Sequence, residues 1–78
     1  GAEIRDRRLV VTGIRFADGA VILVDGAVQK TSNDPVSPAT TLRSRKARKT
    51  IDRGETVSLT VRNPDGEMSE GFTYSRPQ

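Results

Sequence analysis

The chemistry available to this chain is carried by cations. Six basic residues lie between positions 43 and 53, and with Asp52 as the only acidic residue there the segment has a charge of +5 (six minus one). Such a density of cations can neutralise phosphates or sulfated sugars, with binding that weakens steeply as salt rises. The candidate polyanion-binding residues are Arg43, Arg45, Lys46, Arg48, Lys49 and Arg53.

A solvated surface is the competing interpretation of this basic segment, and the sequence favours it. No aromatic residue interleaves the run, so the run offers no platform for stacking bases. A helix competes locally because Arg, Lys and Ala are good helix formers. However, Leu42 and Ala47 do not form a stripe at helical spacing. We therefore predict an exposed edge strand that runs into a loop, with cations discouraging edge-to-edge pairing.

Groups for catalysis or metal binding are scarce. The chain has no histidine and no cysteine, which removes the commonest general base and the strongest nucleophile. Asp52 and Glu55 beside Gly54 are too sparse a set for a calcium loop. Several other carboxylates lie in turn sequences, where aspartate serves the backbone: Asp18, Asp25, Asp34 and Asp65. We predict no enzymatic activity, no metal and no cofactor.

Length and composition indicate one small domain spanning residues 1–78. Only 33% of the residues are hydrophobic and 4% aromatic, so the core is thin and built from Val, Ile and Leu. β-Branched residues suit two facing sheets better than a helical bundle. Residues 1–8 are polar, as in a weak edge strand or a frayed end. No apolar run approaches the ~20 residues that cross a bilayer, and the initial Gly-Ala is typical of a segment excised from a larger protein or of a tag remnant.

The C-terminal part predicts a β-hairpin. Apolar and polar residues alternate over Thr56–Arg62, which is the period of a strand with one buried face. Asn63-Pro64-Asp65-Gly66 is typical of a reversal. Beyond it, Phe72 and Tyr74 lie on one side of a second strand.

Further strands precede this hairpin. Residues 9–12 are predicted to form a strand. Residues 20–24 and 27–30 are predicted to form two further strands, joined by Asp25-Gly26, which is a favoured two-residue hairpin loop. Residues 31–39 contain two prolines and predict a loop, after which β character resumes at 40–45. The total of six or seven short strands predicts an all-β, immunoglobulin-like antiparallel β-sandwich.

Several short motifs together resemble an IPT/TIG domain. VTG at 11–13 with Phe16, then GAV at 19–21 and VDG at 24–26, resemble the first half of that family. VRNPDG at 61–66 followed by FTY at 72–74 resembles its C-terminal hairpin more closely. The resemblance covers residues 9–75. The sequence RSRKARK at 43–49 departs from the apolar, mild segment that the family usually has there.

The resemblance implies a function as well as a fold. Members are immunoglobulin-like sandwiches found in plexin-type receptors, Rel-type transcription factors and bacterial surface or secreted proteins. For this chain it implies a non-catalytic structural or protein-interaction module, extracellular or at the cell surface, whose partners are neighbouring domains or another protein. The alternative is a polyanion-binding module that holds nucleic acid or an anionic glycan through residues 43–53.

Overall fold

Two antiparallel four-stranded sheets face each other in the computed structural model, which describes residues 1–69 and 71–78. The first sheet contains, in spatial order, β1 (Ala2–Arg5), β2 (Arg8–Thr12), β6 (Thr41–Ser44) and β5 (Ser32–Asn33). The second contains β4 (Ala27–Val28), β3 (Val21–Val24), β7 (Thr56–Arg62) and β8 (Phe72–Ser75).

This strand order is that of an immunoglobulin-like sandwich. Lettered along the chain, the first sheet is A-B-E-D and the second is C-F-G with a short additional strand beside C. The predicted all-β sandwich is therefore confirmed. The described residues form eight strands rather than six or seven, because β4 and β5 have two residues each and β5 lies inside the predicted loop 31–39. The segment 1–8 supplies the edge strand β1.

The core consists of aliphatic side chains from the inner faces of both sheets. The alternation predicted for β7 is confirmed, because Val57, Leu59 and Val61 are buried and Leu59 is 0% exposed. Tyr74 is half-buried at the margin of the core. The buried cluster comprises Leu9, Val11, Ala20, Ile22, Val24, Leu42, Ala47, Ile51, Val57, Leu59 and Val61.

Both predicted hairpins are present. Val24 pairs with Ala27, and between them Asp25 and Gly26 have φ values of 50° and 84°, the positive pair that a two-residue type I′ turn requires. Strands β7 and β8 pair with Leu59 opposite Phe72. The reversal at 63–66 closes through a 2.9 Å hydrogen bond from the Gly66 amide to the Asn63 carbonyl.

The prediction of an exposed edge strand running into a loop at residues 40–49 is wrong. Strand β6 lies between β2 and β5, and the chain continues into helix α1 (Arg45–Thr50). Ala47 and Ile51, both 0% exposed and four residues apart, face the core from one side of this turn. The buried pair is not evident from the spacing of Ala47 and Leu42, because the partner of Ala47 is Ile51, one helical turn further on.

The chain enters and leaves the sandwich at opposite ends. Its first residue lies beside the end of β2, where the Gly1 amine donates to the Thr12 carbonyl at 2.9 Å. We call this the loop end, because the connection 13–20 and the reversal 63–66 extend beyond the strands there. Arg76 lies at the other end, the helix end, where its amide donates to the Glu55 carbonyl at 2.9 Å. The helix end also carries α1 and the β1–β2 turn.

Candidate polyanion-binding site

The helix end gathers cations from three separate stretches of chain. One depression of about 360 Å³ is lined by Arg8, Lys30, Thr31, Ser32, Arg43, Ser44, Arg45 and Lys46, and we call it the cationic groove. An adjacent depression of about 380 Å³ is lined by Asp6, Arg7, Arg45, Lys46, Arg48 and Lys49. Because Arg45 and Lys46 line both depressions, the two form one continuous cationic surface.

The charge of this surface is strongly one-sided. Eight of the chain's 13 lysines and arginines line the two depressions. Of the ten acidic residues, nine belong to the described part of the chain, and among those nine only Asp6 lines either depression. A surface of this kind concentrates anions around it by long-range electrostatic attraction.

The register of the first sheet places Arg8 and Arg43 on its outer face. Leu9 is paired with Ser44, and both are buried, so their neighbours Arg8 and Arg43 point to the opposite face. Val10 shares this outer face and is opposite Arg43, yet it is only 4% exposed. The aliphatic stems of long cross-strand neighbours cover such a residue while their charged ends stay in water.

Arg43 lies beside the carboxylate of Asp34. The distance from Arg43 Nε to Asp34 Oδ2 is 4.0 Å, and Arg43 Nε is buried without a hydrogen-bond partner. Asp34 Oδ1 accepts hydrogen bonds from the amides of Val36 at 2.8 Å and Ser37 at 3.1 Å. These two bonds, helped by the nearby charge of Arg43, lower the pKa of Asp34 below its ordinary value.

Ser44 fixes the two walls of the cationic groove to each other. Its Oγ donates to the Lys30 carbonyl at 2.6 Å and accepts from the Ala47 amide at 3.1 Å. The second bond caps the N-terminus of α1, and the first ties that helix to the β4–β5 connection. Thr31 Oγ1 completes the frame by donating to the Gln29 carbonyl at 2.8 Å. Lys30 is thereby held across the groove from the start of the helix.

Arginine side chains also anchor the C-terminal part of α1. Arg48 Nε donates to the Arg7 carbonyl at 3.1 Å, which joins the helix to the β1–β2 turn. Arg76 Nη1 donates to the carbonyls of Ile51 at 2.6 Å and Arg48 at 3.2 Å, which satisfies acceptors at the helix C-terminus. Arg48 therefore has a structural role in addition to its charge.

The structure brings together five of the six predicted residues and separates the sixth. Arg43, Arg45, Lys46, Arg48 and Lys49 all lie on the cationic surface. Arg53 instead lines a different depression of about 570 Å³, together with Glu3 and Tyr74.

Sequence reasoning missed Arg7, Arg8 and Lys30. None of these residues belongs to the basic run, so a search for contiguous charge does not find them. The available signal is positional: Arg7 and Arg8 lie at the β1–β2 turn, and Lys30 follows β4 by two residues. In this strand order those positions meet the start of α1 at one end of the sandwich.

Carboxylates away from this surface are engaged by backbone amides. Asp25 Oδ1 accepts from the Ser58 amide at 2.8 Å, and Asp65 Oδ1 accepts from the Glu67 amide at 2.9 Å. Within residues 1–69 and 71–78, no three His, Cys, Asp or Glu side chains come together in a way that could hold a metal ion. These carboxylates stabilise turns.

Comparison with known proteins gives no relative: no protein-family model matches the chain, and no curated protein or solved structure is significantly similar to it. Membership of the IPT/TIG family therefore stays a prediction. The helix in the described part of the chain is too short to span a membrane.

Proposed function

We propose that this chain is a non-catalytic immunoglobulin-like module that spaces and orients neighbouring domains of a larger protein. The observation that carries the proposal is the position of its two chain ends. Gly1 lies at the loop end and Arg76 at the helix end of a molecule that measures 33 Å along its longest axis. Domains attached at both ends would follow one another in series.

The exit at the helix end is held in a defined direction. The Gly54 amide donates to the Arg76 carbonyl at 2.9 Å, and the Arg76 amide donates to the Glu55 carbonyl at the same distance. The Arg76 side chain adds its bonds to Ile51 and Arg48. An ordered exit transmits the orientation of one domain to the next, whereas a flexible one would not.

The roles of the aspartates in turns also favour a structural module over an enzyme. Carboxylates that could act as acids or bases, such as Asp25 and Asp65, accept hydrogen bonds from turn amides instead. The resemblance to IPT/TIG domains implies that the larger protein is a bacterial surface or secreted protein.

Small-angle X-ray scattering on two copies joined directly from Gln78 to Gly1 tests the proposal. We expect a maximum dimension clearly larger than that of two copies packed side by side, because the chain enters and leaves at opposite ends and the exit is ordered. A second fusion with a flexible Gly-Ser linker between the copies is the control and should scatter as a broad ensemble. A direct fusion whose copies fold back side by side would contradict the spacer function.

A second candidate function is polyanion binding, and the meeting of cations from three stretches of chain at the helix end favours it. Fluorescence anisotropy with labelled heparin and labelled single-stranded DNA, at about 50 and about 200 mM NaCl, tests it. We expect binding at the lower salt that weakens steeply at the higher. No binding of either polyanion at the lower salt would contradict this candidate.

A further inference from the structure

We infer that the cationic groove binds a linear sulfated polysaccharide. The inference rests on the second proposed function and adds to it a location and a class of ligand. The cations that would carry the binding are Arg8, Lys30, Arg43, Arg45 and Lys46, of which the first two lie outside the basic run.

The groove is the concave and most uniformly positive part of the cationic surface. Five cations line it, and no acidic residue of the described chain does. The adjacent depression includes Asp6. Arg43 of the groove is paired with Asp34, whose carboxylate is 4.0 Å from Arg43 Nε and accepts hydrogen bonds from the amides of Val36 and Ser37. The groove thus keeps most of its positive charge free for a ligand.

Arg43 supplies the donor best placed for an anionic oxygen. Its side chain is only 30% exposed, so it would lose less conformational freedom on binding than a fully exposed arginine. Its Nε is the buried side-chain donor that lacks a partner among the described residues. A buried donor without an acceptor is unfavourable, and a small rotation that pairs it with a sulfate oxygen would relieve that cost.

The groove walls are fixed while the cations themselves can adapt. Ser44 holds the Lys30 backbone to the start of α1, and Thr31 is bonded to the Gln29 carbonyl. Lys30 and Lys46 extend from these walls as exposed side chains. Fixed walls with exposed lysines suit a polysaccharide whose sulfates vary in spacing, because the flexible stem of a lysine lets its ammonium group reach the nearest charge.

The composition of the groove favours a glycan over a nucleic acid. The aromatic residues lie elsewhere: Phe16 at the loop end, and Phe72 and Tyr74 along β8. Bases therefore have no stacking platform in the groove. Helix α1 has six residues, which is little length for a helix that reads base edges in a DNA major groove. The guanidinium groups of the cationic groove instead suit sulfates, and its aliphatic stems and the Ser32 hydroxyl suit the sugar rings that carry them.

Isothermal titration calorimetry tests this inference with three ligands of equal formal charge: a heparin oligosaccharide, oligo-dT and a short DNA duplex. The groove variant is Lys30→Gln/Lys46→Gln, which removes two exposed ammonium groups that make no hydrogen bond with residues 1–69 or 71–78, while the backbone carbonyls that accept from Ser44 and Thr50 are kept. The matched control is Arg53→Gln/Arg62→Gln, which removes the same charge outside the groove. Thermal unfolding of each variant verifies that the fold is retained.

We expect heparin to bind more tightly than either DNA at about 150 mM NaCl. The groove variant should raise the heparin Kd about tenfold and the control variant less than about twofold, since only the former removes contacts with the ligand. An equal increase in the heparin Kd for the two variants would contradict binding in the cationic groove. A DNA that binds as tightly as heparin would overturn the glycan class, while polyanion binding itself would stand. No binding of any ligand at about 50 mM NaCl would instead refute the second proposed function.

Discussion

Individual side chains in and beside the cationic groove serve the fold and the proposed site together. Asp34 is one example, because its carboxylate accepts two amide hydrogen bonds in the loop after β5 and lies beside Arg43 of the cationic groove. Ser44 is another, since one hydroxyl caps α1 and holds the Lys30 backbone. Substitutions at these positions therefore report on the fold that presents the cations.

The protonation of Asp34 should couple stability to pH. Its pKa in the folded protein is lowered by the Val36 and Ser37 amides below an ordinary value of 3.8. The ionised carboxylate therefore stabilises the fold above pH 3.8, and this contribution is lost as the pH falls through the folded-state pKa. Wild type should melt at a higher temperature than Asp34→Asn at neutral pH, and the difference should shrink in acid. A difference in Tm that is independent of pH would contradict this assignment.

Leu59 and Thr60 form a matched pair for testing which face of β7 is buried. Leu59 is 0% exposed, whereas Thr60 points to the other face of the strand and is half-buried. Leu59→Ala should lower the free energy of unfolding by roughly 2–5 kcal/mol, because it leaves a cavity in the core. Thr60→Ala should change it by less than about 1 kcal/mol. Urea denaturation measures both changes. Similar losses in the free energy of unfolding would mean that the buried face of β7 is misassigned.

Among the elements, the hairpins were predictable and the helix was not. Asp25-Gly26 and the reversal at 63–66 use turn chemistry that is local in sequence, so the residues themselves determine the bend. Helix α1 has one buried position of its own, Ala47, and its second core contact comes from Ile51 just after the helix. Tertiary burial of these two residues and the Ser44 cap, rather than an amphipathic stripe, select the helix.

The Ser44 cap gives a prediction at the scale of the element. Ser44→Ala removes the bonds to the Ala47 amide and the Lys30 carbonyl, and should lower the free energy of unfolding by about 1–2 kcal/mol. Ser32→Ala, on the neighbouring strand β5, is the control and should change it little, because Ser32 is exposed. Chemical denaturation monitored by circular dichroism measures both. Equal stabilities for the two variants would contradict the capping role.

At the scale of the whole molecule, the cationic surface exists only because of the topology. The basic run was evident from sequence, but Arg7, Arg8 and Lys30 join it only when β2, β6 and the β4–β5 connection meet at the helix end. Arg53 belongs to the same run and is directed elsewhere by the turn at 52–55. Contiguous charge in a sequence thus identified most of this surface but not its boundary.

Backbone amide NMR shifts during a heparin titration test most directly whether the assembled surface is a binding site. We expect salt-sensitive shifts at Arg8, Lys30 and residues 43–46 together, with Arg53 and the loop end unaffected, because the topology and not the run defines the site. Shifts spread over residues 43–53 including Arg53, while Arg8 and Lys30 stay unchanged, would contradict the account.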